Sequence, residues 1–585
     1  MRSLILPVGI SLLSLAASFT IPSSPQQILG TSNSETTKEK CPLPLKVTPD
    51  YDGLLSSLRY LQDEDILQRQ ATRLSRAVQV PTTVTDSMKD PYDESFAAFV
   101  DFHELLAKLF PLIHSKSRVE RVNRLGLIIT VNPPQKANKR QRKPLLFTAH
   151  QDVVPINDAS DWTHPPFSGH FDGEFLWGRG SSDCKNGLIG LLSVIEDLLE
   201  QDWTPSRPVV LAFGFDEESR GFLGAGSIAP ILEERYGKDG FEFILDEGGT
   251  GLSTLGSSSF SSIFEEDNVI YALPDVSEKG AIDIILSLSV PGGHSSIPPK
   301  HTGVGIMSEI IYNLENTELD IFTPSLGPDH PSRRMLECQV RHSPQFVEDW
   351  LPSALDSDDY AAAAEAIAQS RGEGIRFTLQ SSQAADIFNG GVKSNALPEK
   401  IQAVVNYRVG LHQTPKLVQE RAERIIAPIV EKHNLTWSKA SISASDEVDI
   451  ASGTGGHLAL TFNAPLSPAP VSPTDIETSP VWARFAGVAR SVFESVPSLK
   501  GKTVVVSGDI MTGNTDTRFY WNLSRNIYRW SPAREGRALN IHTVDERIGI
   551  DAHLEGMMLY YDLIRGFDLW DGAPVQDEVT ERQDI

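Results

Sequence analysis

The sequence predicts an α/β protein with two domains, the larger one built around a sheet and interrupted in the chain by a smaller α+β unit. Three observations carry this prediction. Short apolar runs alternate with helical stretches from about residue 125 to residue 245, the pattern changes near Ala281, and the first pattern resumes at Val481. Strands alternating with helices indicate a sheet covered by helices on both faces. Functional side chains are then expected at the carboxyl ends of its strands.

Taken in order, Arg2 and the apolar run from Leu4, closed by small residues, read as a secretory signal over residues 1–18. An uncleaved anchor is the alternative, against which stand Pro7 and the interspersed serines. Residues 19–50, rich in Ser, Thr, Pro, Gln and Lys, form an expected flexible leader, because they cannot bury enough apolar surface to offset ordering. The first part of the larger domain is expected at 51–280 and contains a helix at Ser95 to Phe110, whose apolar residues recur three and four apart. Runs at Leu125 to Val131, Leu145 to Thr148, Val209 to Gly214 and Phe241 to Leu245 are the expected strands, and Asn186 to Gln201 and Gly221 to Tyr236 the helices among them.

The smaller domain is expected at 281–445, with strands at Ile282 to Val290, Ile375 to Gln380 and Ile401 to Val409 and helices at Gly303 to Leu314 and Pro415 to His433. Within it, 320–374 reads as an insertion with an alanine-rich helix at Tyr360 to Gln369. Pro465, Pro468, Pro470 and Pro473 mark the stretch from Ser445 to Ser479 as loop. The second part of the larger domain, 446–585, supplies a helix at Val481 to Phe493, a strand at Thr503 to Ser507 and a helix at Asp551 to Leu569.

Composition narrows the function. Lys and Arg total 52 against 77 Asp and Glu in 585 residues, a formal charge of −25. Such a chain lacks the basic footprint that phosphate backbones require, so no nucleic-acid partner is expected. Cys41, Cys184 and Cys338 allow at most one disulfide and offer no paired spacing for a closed structural zinc site. No later apolar run is long enough to span a bilayer, so no stable membrane partner is expected unless the amino-terminal segment is retained. The sequons Asn434-Leu-Thr436 and Asn522-Leu-Ser524 agree with passage through the secretory pathway.

Five short motifs place acids or histidines just after apolar runs, where an unpartnered charge is costly. They are Thr148-Ala-His150-Gln-Asp152, Gly178-Arg-Gly-Ser-Ser-Asp183-Cys-Lys-Asn-Gly187, Gly214-Phe-Asp-Glu217-Glu218-Ser219, Leu245-Asp246-Glu247-Gly-Gly249 and Asn540-Ile-His542-Thr-Val-Asp545-Glu546. Any one alone is commonplace: a lone histidine is usually a hydrogen-bonded core or surface residue, and an acidic run a solvated loop. Five together at strand ends point to imidazole and carboxylate ligands around a borderline divalent ion such as zinc.

In order, spacing and context these motifs resemble the M20 family of metallopeptidases, and within it the carboxypeptidase S group of Gly-X carboxypeptidases, over about residues 60–570. The resemblance implies a zinc-exopeptidase-like catalytic domain with a mixed sheet, interrupted by a lid domain of the dimerisation type. It implies two zinc ions per subunit. His150 and Asp246 would bind one, Glu218 and His542 the other, and Asp183 would bridge both. Asp152 would orient His150, Glu217 would be the general base, and the peptide after Asp183 would be cis.

Pro291-Gly-Gly-His294-Ser-Ser-Ile-Pro298 resembles the segment whose histidine stabilises the oxyanion, in many members from a neighbouring subunit, which leaves a homodimer open. Asn395-Ala-Leu-Pro398 and Arg408 resemble a substrate-holding pair in which the guanidinium grips a free carboxylate bidentately. The expected activity is hydrolysis of the C-terminal bond of short peptides, in a vacuolar or lysosome-like lumen or after secretion. The alternative is hydrolysis or synthesis of N-acyl amino acids, since the same chemistry needs only a different pocket wall.

Overall fold

The computed structural model describes residues 40–49, 52–134, 142–249, 251–255, 268–317, 320–440 and 455–573. The expected signal segment lies outside the described residues, as does the expected leader up to residue 39.

The larger domain is built on an eight-stranded mixed sheet. Its order is Arg118–Val122, Gly126–Val131, Val209–Gly214, Leu145–His150, Ile244–Asp246, Ile527–Arg529, Asp275–Glu278 and Asp509–Met511. Leu145–His150 runs parallel to both of its neighbours. Its six residues are all buried, as are those of Val209–Gly214, which is why these strands read as continuous apolar runs rather than alternating ones. Alternate residues serve opposite faces. Leu145 and Phe147 join the helices Lys185–Glu200 and Ile550–Asp568 in one core, while Leu146 joins Ala225–Tyr236 in another.

The smaller domain is a five-stranded sheet ordered Ser382–Gly390, Lys400–Val409, Gly280–Ser289, Gly456–Leu466, Leu435–Ala440. Every second residue of Gly280–Ser289 is buried. That face packs on the helices Gly303–Asn316 and Pro415–Lys432, which cover it. The chain passes between the domains at Lys279 and again after Leu466. Gly280 is required there, because a Cβ on it would lie 2.4 Å from the carbonyl oxygen of Leu466.

Several expected boundaries move. The strand Gly456–Leu466, in a stretch read as loop and placed in the larger domain, pairs antiparallel with Gly280–Ser289 and extends the smaller domain past residue 445. Its alternation of buried Leu458, Leu460 and Phe462 was overshadowed by the prolines that follow. The expected strand Ile375 to Gln380 is instead part of the helix Glu373–Leu379, held back against the preceding helix by the Arg376–Glu365 ion pair. Most of the insertion packs on the larger domain, where Leu336, Cys338, Leu351 and Ile367 share a core with Tyr271 and Val505, while Ile321 and Phe322 at its start pack in the core of the smaller one.

Residues 40–49 of the expected leader are not loose. Val47 donates its N–H to Gly487 and is buried, and Cys41 is bonded to Cys338 across 297 residues of sequence. A cross-link closing so long a loop restricts the unfolded chain strongly. Cys338→Ser is expected to cost about 2–4 kcal/mol, read as a lower urea midpoint that added reductant no longer shifts.

Candidate metal centre

Three adjacent parallel strands deliver the site from their carboxyl ends. His150 closes the strand Leu145–His150, level with Gly214 on the next strand. The chain beyond Gly214 turns through Glu217–Ser219, and Ile244–Asp246 on the other side leads into Glu247. The acid Asp183 arrives from a separate turn, and its peptide bond to Cys184 is cis. Glu546 holds that turn: fully buried, it accepts N–H groups from Gly180, Ser182 and Asp183 and pairs with Arg179.

The atoms converge closely. His150 is 1% exposed, and its Nδ1 lies 3.0 Å from the carbonyl oxygen of Asp152 and 3.3 Å from Asp152 Oδ1. Donation from Nδ1 to Asp152 fixes the tautomer that leaves Nε2 free as a ligand. Asp152 is anchored in turn, its Oδ2 accepting the N–H of Glu218 at 3.0 Å. His150 Nε2 faces Asp183 Oδ1 and Glu247 Oε1, both at 3.0 Å. His542 Nε2 faces Asp183 Oδ2 and Glu218 Oε1, again both at 3.0 Å. Asp183 thus turns one oxygen to each histidine.

The expectation for Asp246 is corrected here: the carboxylate beside His150 belongs to Glu247. The register pairs Leu146 with Ile244 and Phe147 with Leu245, which sets Asp246 level with Thr148, one layer below His150. Asp246 is buried, its Oδ2 has no hydrogen-bond partner, and it is the next residue, Glu247, that reaches the histidine.

Electrostatics tests whether a cation fits. Glu217 and Glu218, which line a cavity of about 700 Å³ with Asp183, Glu247 and His542, have no Lys or Arg as ion-pair partner among the described residues, and neither do Asp183 and Glu247. Burial, reinforced by Asp183, pushes Glu247 up to about 8 against the pull of His150. Burial likewise pushes Glu217 well up, with Glu247, Asp516 and Glu218 adding to it. Burial works against Asp183 too, but hydrogen bonds from His150 and His542 hold it far below the usual carboxylate range. Hydrogen bonds to Asp183 and Glu218 raise His542 to about 10. Four carboxylates and two imidazoles packed this way are short of positive charge, and the nitrogen and oxygen donor set suits a divalent cation of the zinc type. Cys184 is buried and its thiol is pushed well up by that burial, which keeps it protonated and a filler.

The remaining sequence-predicted residues fall into two groups. Arg408 Nη1 donates to Asn514 Oδ1 at 2.8 Å, and Asn514 borders the same cavity. His294 and Asn395 stand apart from the cavity on the exposed edge of the smaller domain. There Gly293–His294 pairs with Ala396–Leu397, His294 Nδ1 is 2.7 Å from Ser296 Oγ, and Asn395 accepts the N–H of Ser295. Within one chain the structure brings neither to the carboxylate cluster. Sequence reasoning missed Glu247, one residue from the acid it chose, and gave no role to Glu546, although both lay inside quoted motifs.

Residues 146–566 match peptidase family M20/M25/M40. Carboxypeptidase S of Saccharomyces cerevisiae is 37% identical over 536 residues, covering 90% of this chain and 88% of that protein. The N-fatty-acyl-amino acid synthase/hydrolase of Homo sapiens is 29% identical over 530 residues, covering 88% and 91%. Among solved structures, a di-peptidase from Saccharomyces cerevisiae superimposes with a TM-score of 0.58 at 14% identity, over 88% of this chain and 98% of that one. An M20 family metallo-carboxypeptidase from Sulfolobus solfataricus gives 0.54 at 17%, over 85% and 98%, so both share the fold. With the sequence matched across most of its length and the acids and histidines gathered where three strands end, this chain belongs to peptidase family M20.

Proposed function

We propose that this chain is a carboxypeptidase using two zinc ions to hydrolyse the C-terminal bond of short peptides. The observation that carries the reading is Asp183 standing between two histidine–carboxylate pairs, with Glu217 in the same cavity. His150 and Glu247 would hold one ion, Glu218 and His542 the other, and Asp183 would give an oxygen to each. When bound, such a pair lowers the pKa of a shared water and polarises the scissile carbonyl.

The chain's own groups do the rest. Asp152 keeps His150 in its ligating tautomer. Glu217 takes a proton from the attacking water and returns it to the leaving nitrogen. Arg408, steadied by Asn514, grips the terminal carboxylate of the substrate. His294, exposed on the edge of the smaller domain, would reach a developing oxyanion from a second subunit, with Asn395 beside it. The 37% identity to carboxypeptidase S, against 29% to the human N-fatty-acyl-amino acid enzyme, supports a peptide over an acyl amide. Comparing turnover of benzyloxycarbonyl-Gly-Leu with that of N-oleoyl-Phe tests this choice, and faster cleavage of the second would reverse it.

Arg408→Ala is expected to lower kcat/KM for free-acid peptides about 100-fold or more and to leave C-terminally amidated ones almost unchanged. Equal losses on both would remove Arg408 from the carboxylate site. Passage through the secretory pathway, to a vacuolar lumen or the exterior, is supported by the Cys41–Cys338 bond, which oxidising compartments preserve. The exposed Asn522 of the second sequon suits a glycan acceptor. Among the described residues no helix is long and apolar enough to cross a membrane.

A further inference from the structure

Lys279 is fully buried where the chain crosses from the larger to the smaller domain. Its Nζ donates to the carbonyl oxygen of Phe377 at 2.9 Å and to Ser382 Oγ at 3.3 Å. Ser382 lies directly opposite Arg408 in the antiparallel pairing of their strands, so the two side chains share a face. Asn514 links the Arg408 side chain to the Lys279 main chain: its Nδ2 donates to the carbonyl oxygen of Lys279 at 2.6 Å while its Oδ1 accepts from Arg408 at 2.8 Å. Asn514 also borders the cavity that holds the carboxylate cluster.

The buried Lys279 and the half-buried Arg408 therefore meet at this junction, and among the described residues neither has a carboxylate at ion-pair distance. The nearest acid in sequence, Glu278, turns away to Thr515, Thr517 and Arg529. The other titratable groups facing Lys279 are cations or neutral: Arg408 on its strand and His412 just beyond it. Buried charges without partners are costly unless something completes the set. A carboxylate would complete it.

We propose that Lys279 is the second cation of the subsite for the substrate's terminal carboxylate, standing beside Arg408, with Ser382 and Asn514 fixing the two side chains. This rests on the reading of Arg408 given above and adds to it a residue from the crossing between the domains. Burial and the charge of Arg408 push the Lys279 ammonium down to about 7. Its charged form, present below that pH, is the one that attracts the substrate, so the preference for a free acid is expected to decline as pH rises through about 7.

The test measures kcat/KM for benzyloxycarbonyl-Gly-Leu and its C-terminal amide with the intact chain, Lys279→Met, Lys279→Arg and Arg408→Ala. Lys279→Met is expected to reduce the acid-over-amide preference about 30-fold or more, chiefly through KM, and Lys279→Arg to restore much of it. A Lys279→Met enzyme that slows both substrates alike, or keeps the preference, overturns the proposal and leaves Lys279 as a tie between the crossing and the helix Glu373–Leu379. Should that variant fail to fold, the unaltered enzyme decides: a preference that stays flat from about pH 6 to pH 8.5 overturns the proposal. If Arg408→Ala keeps the preference, the Arg408 reading itself fails; if only Lys279→Met keeps it, only the present inference does.

Discussion

Glu217→Gln is expected to lower kcat about a thousandfold, within the 10²–10⁴ that general base catalysis contributes, while the protein keeps its metal. The glutamine is nearly isosteric and can still accept a hydrogen bond, but it cannot carry a proton from the water to the leaving nitrogen. The loop that presents Glu217 does not depend on that carboxylate. Asp216 secures it by accepting the N–H groups of Leu223 at 2.8 Å and Gly224 at 2.7 Å, and Arg220 closes the turn with a φ of 86°. The neighbouring Glu218, the ligand in the proposed reading, is held separately through its own N–H on Asp152. Loss of activity with retained metal and unchanged thermal midpoint is therefore the specific signature. A variant that loses its metal as well would make Glu217 a ligand rather than a base.

The second large effect separates two adjacent acids. Glu247→Ala is expected to weaken metal binding by more than the 10- to 100-fold that loss of an outer hydrogen-bond partner costs, because Glu247 Oε1 stands 3.0 Å from His150 Nε2. Asp246→Asn is expected to keep the full metal content, since the strand register sets Asp246 level with Thr148, a layer below His150. Metal analysis of the two purified variants after dialysis decides between them. If Asp246→Asn loses metal and Glu247→Ala keeps it, the assignment drawn from strand register is wrong.

The contrast between these acids illustrates what could be read from sequence. The convergence of His150, Asp183, Glu218 and His542 was legible because each follows an apolar run or glycine-rich turn and has the donor chemistry a metal needs. Choosing between Asp246 and Glu247 required the register of Ile244–Asp246 against Leu145–His150, a long-range pairing with no local sign. The alternating sheet was legible for the same reason as the core, since fully buried parallel strands are apolar on both faces. Gly456–Leu466 escaped because the proline-rich stretch beyond it dominated the local pattern, and the helix Glu373–Leu379 because seven residues carry too few turns for a clear period. A single lysine after an acid carries no signal in the sequence; Lys279 stands out only by its burial and by its bond to Ser382, which lies opposite Arg408.

The central claim is that the acids and histidines around Asp183 hold two zinc ions in a carboxypeptidase. Zinc titration into metal-stripped protein, followed by cleavage of benzyloxycarbonyl-Gly-Leu, tests it most directly. The account predicts no turnover in the stripped protein and activity rising to a plateau at about two zinc ions per chain. Full activity in the stripped protein, or turnover that zinc leaves unchanged, would contradict it.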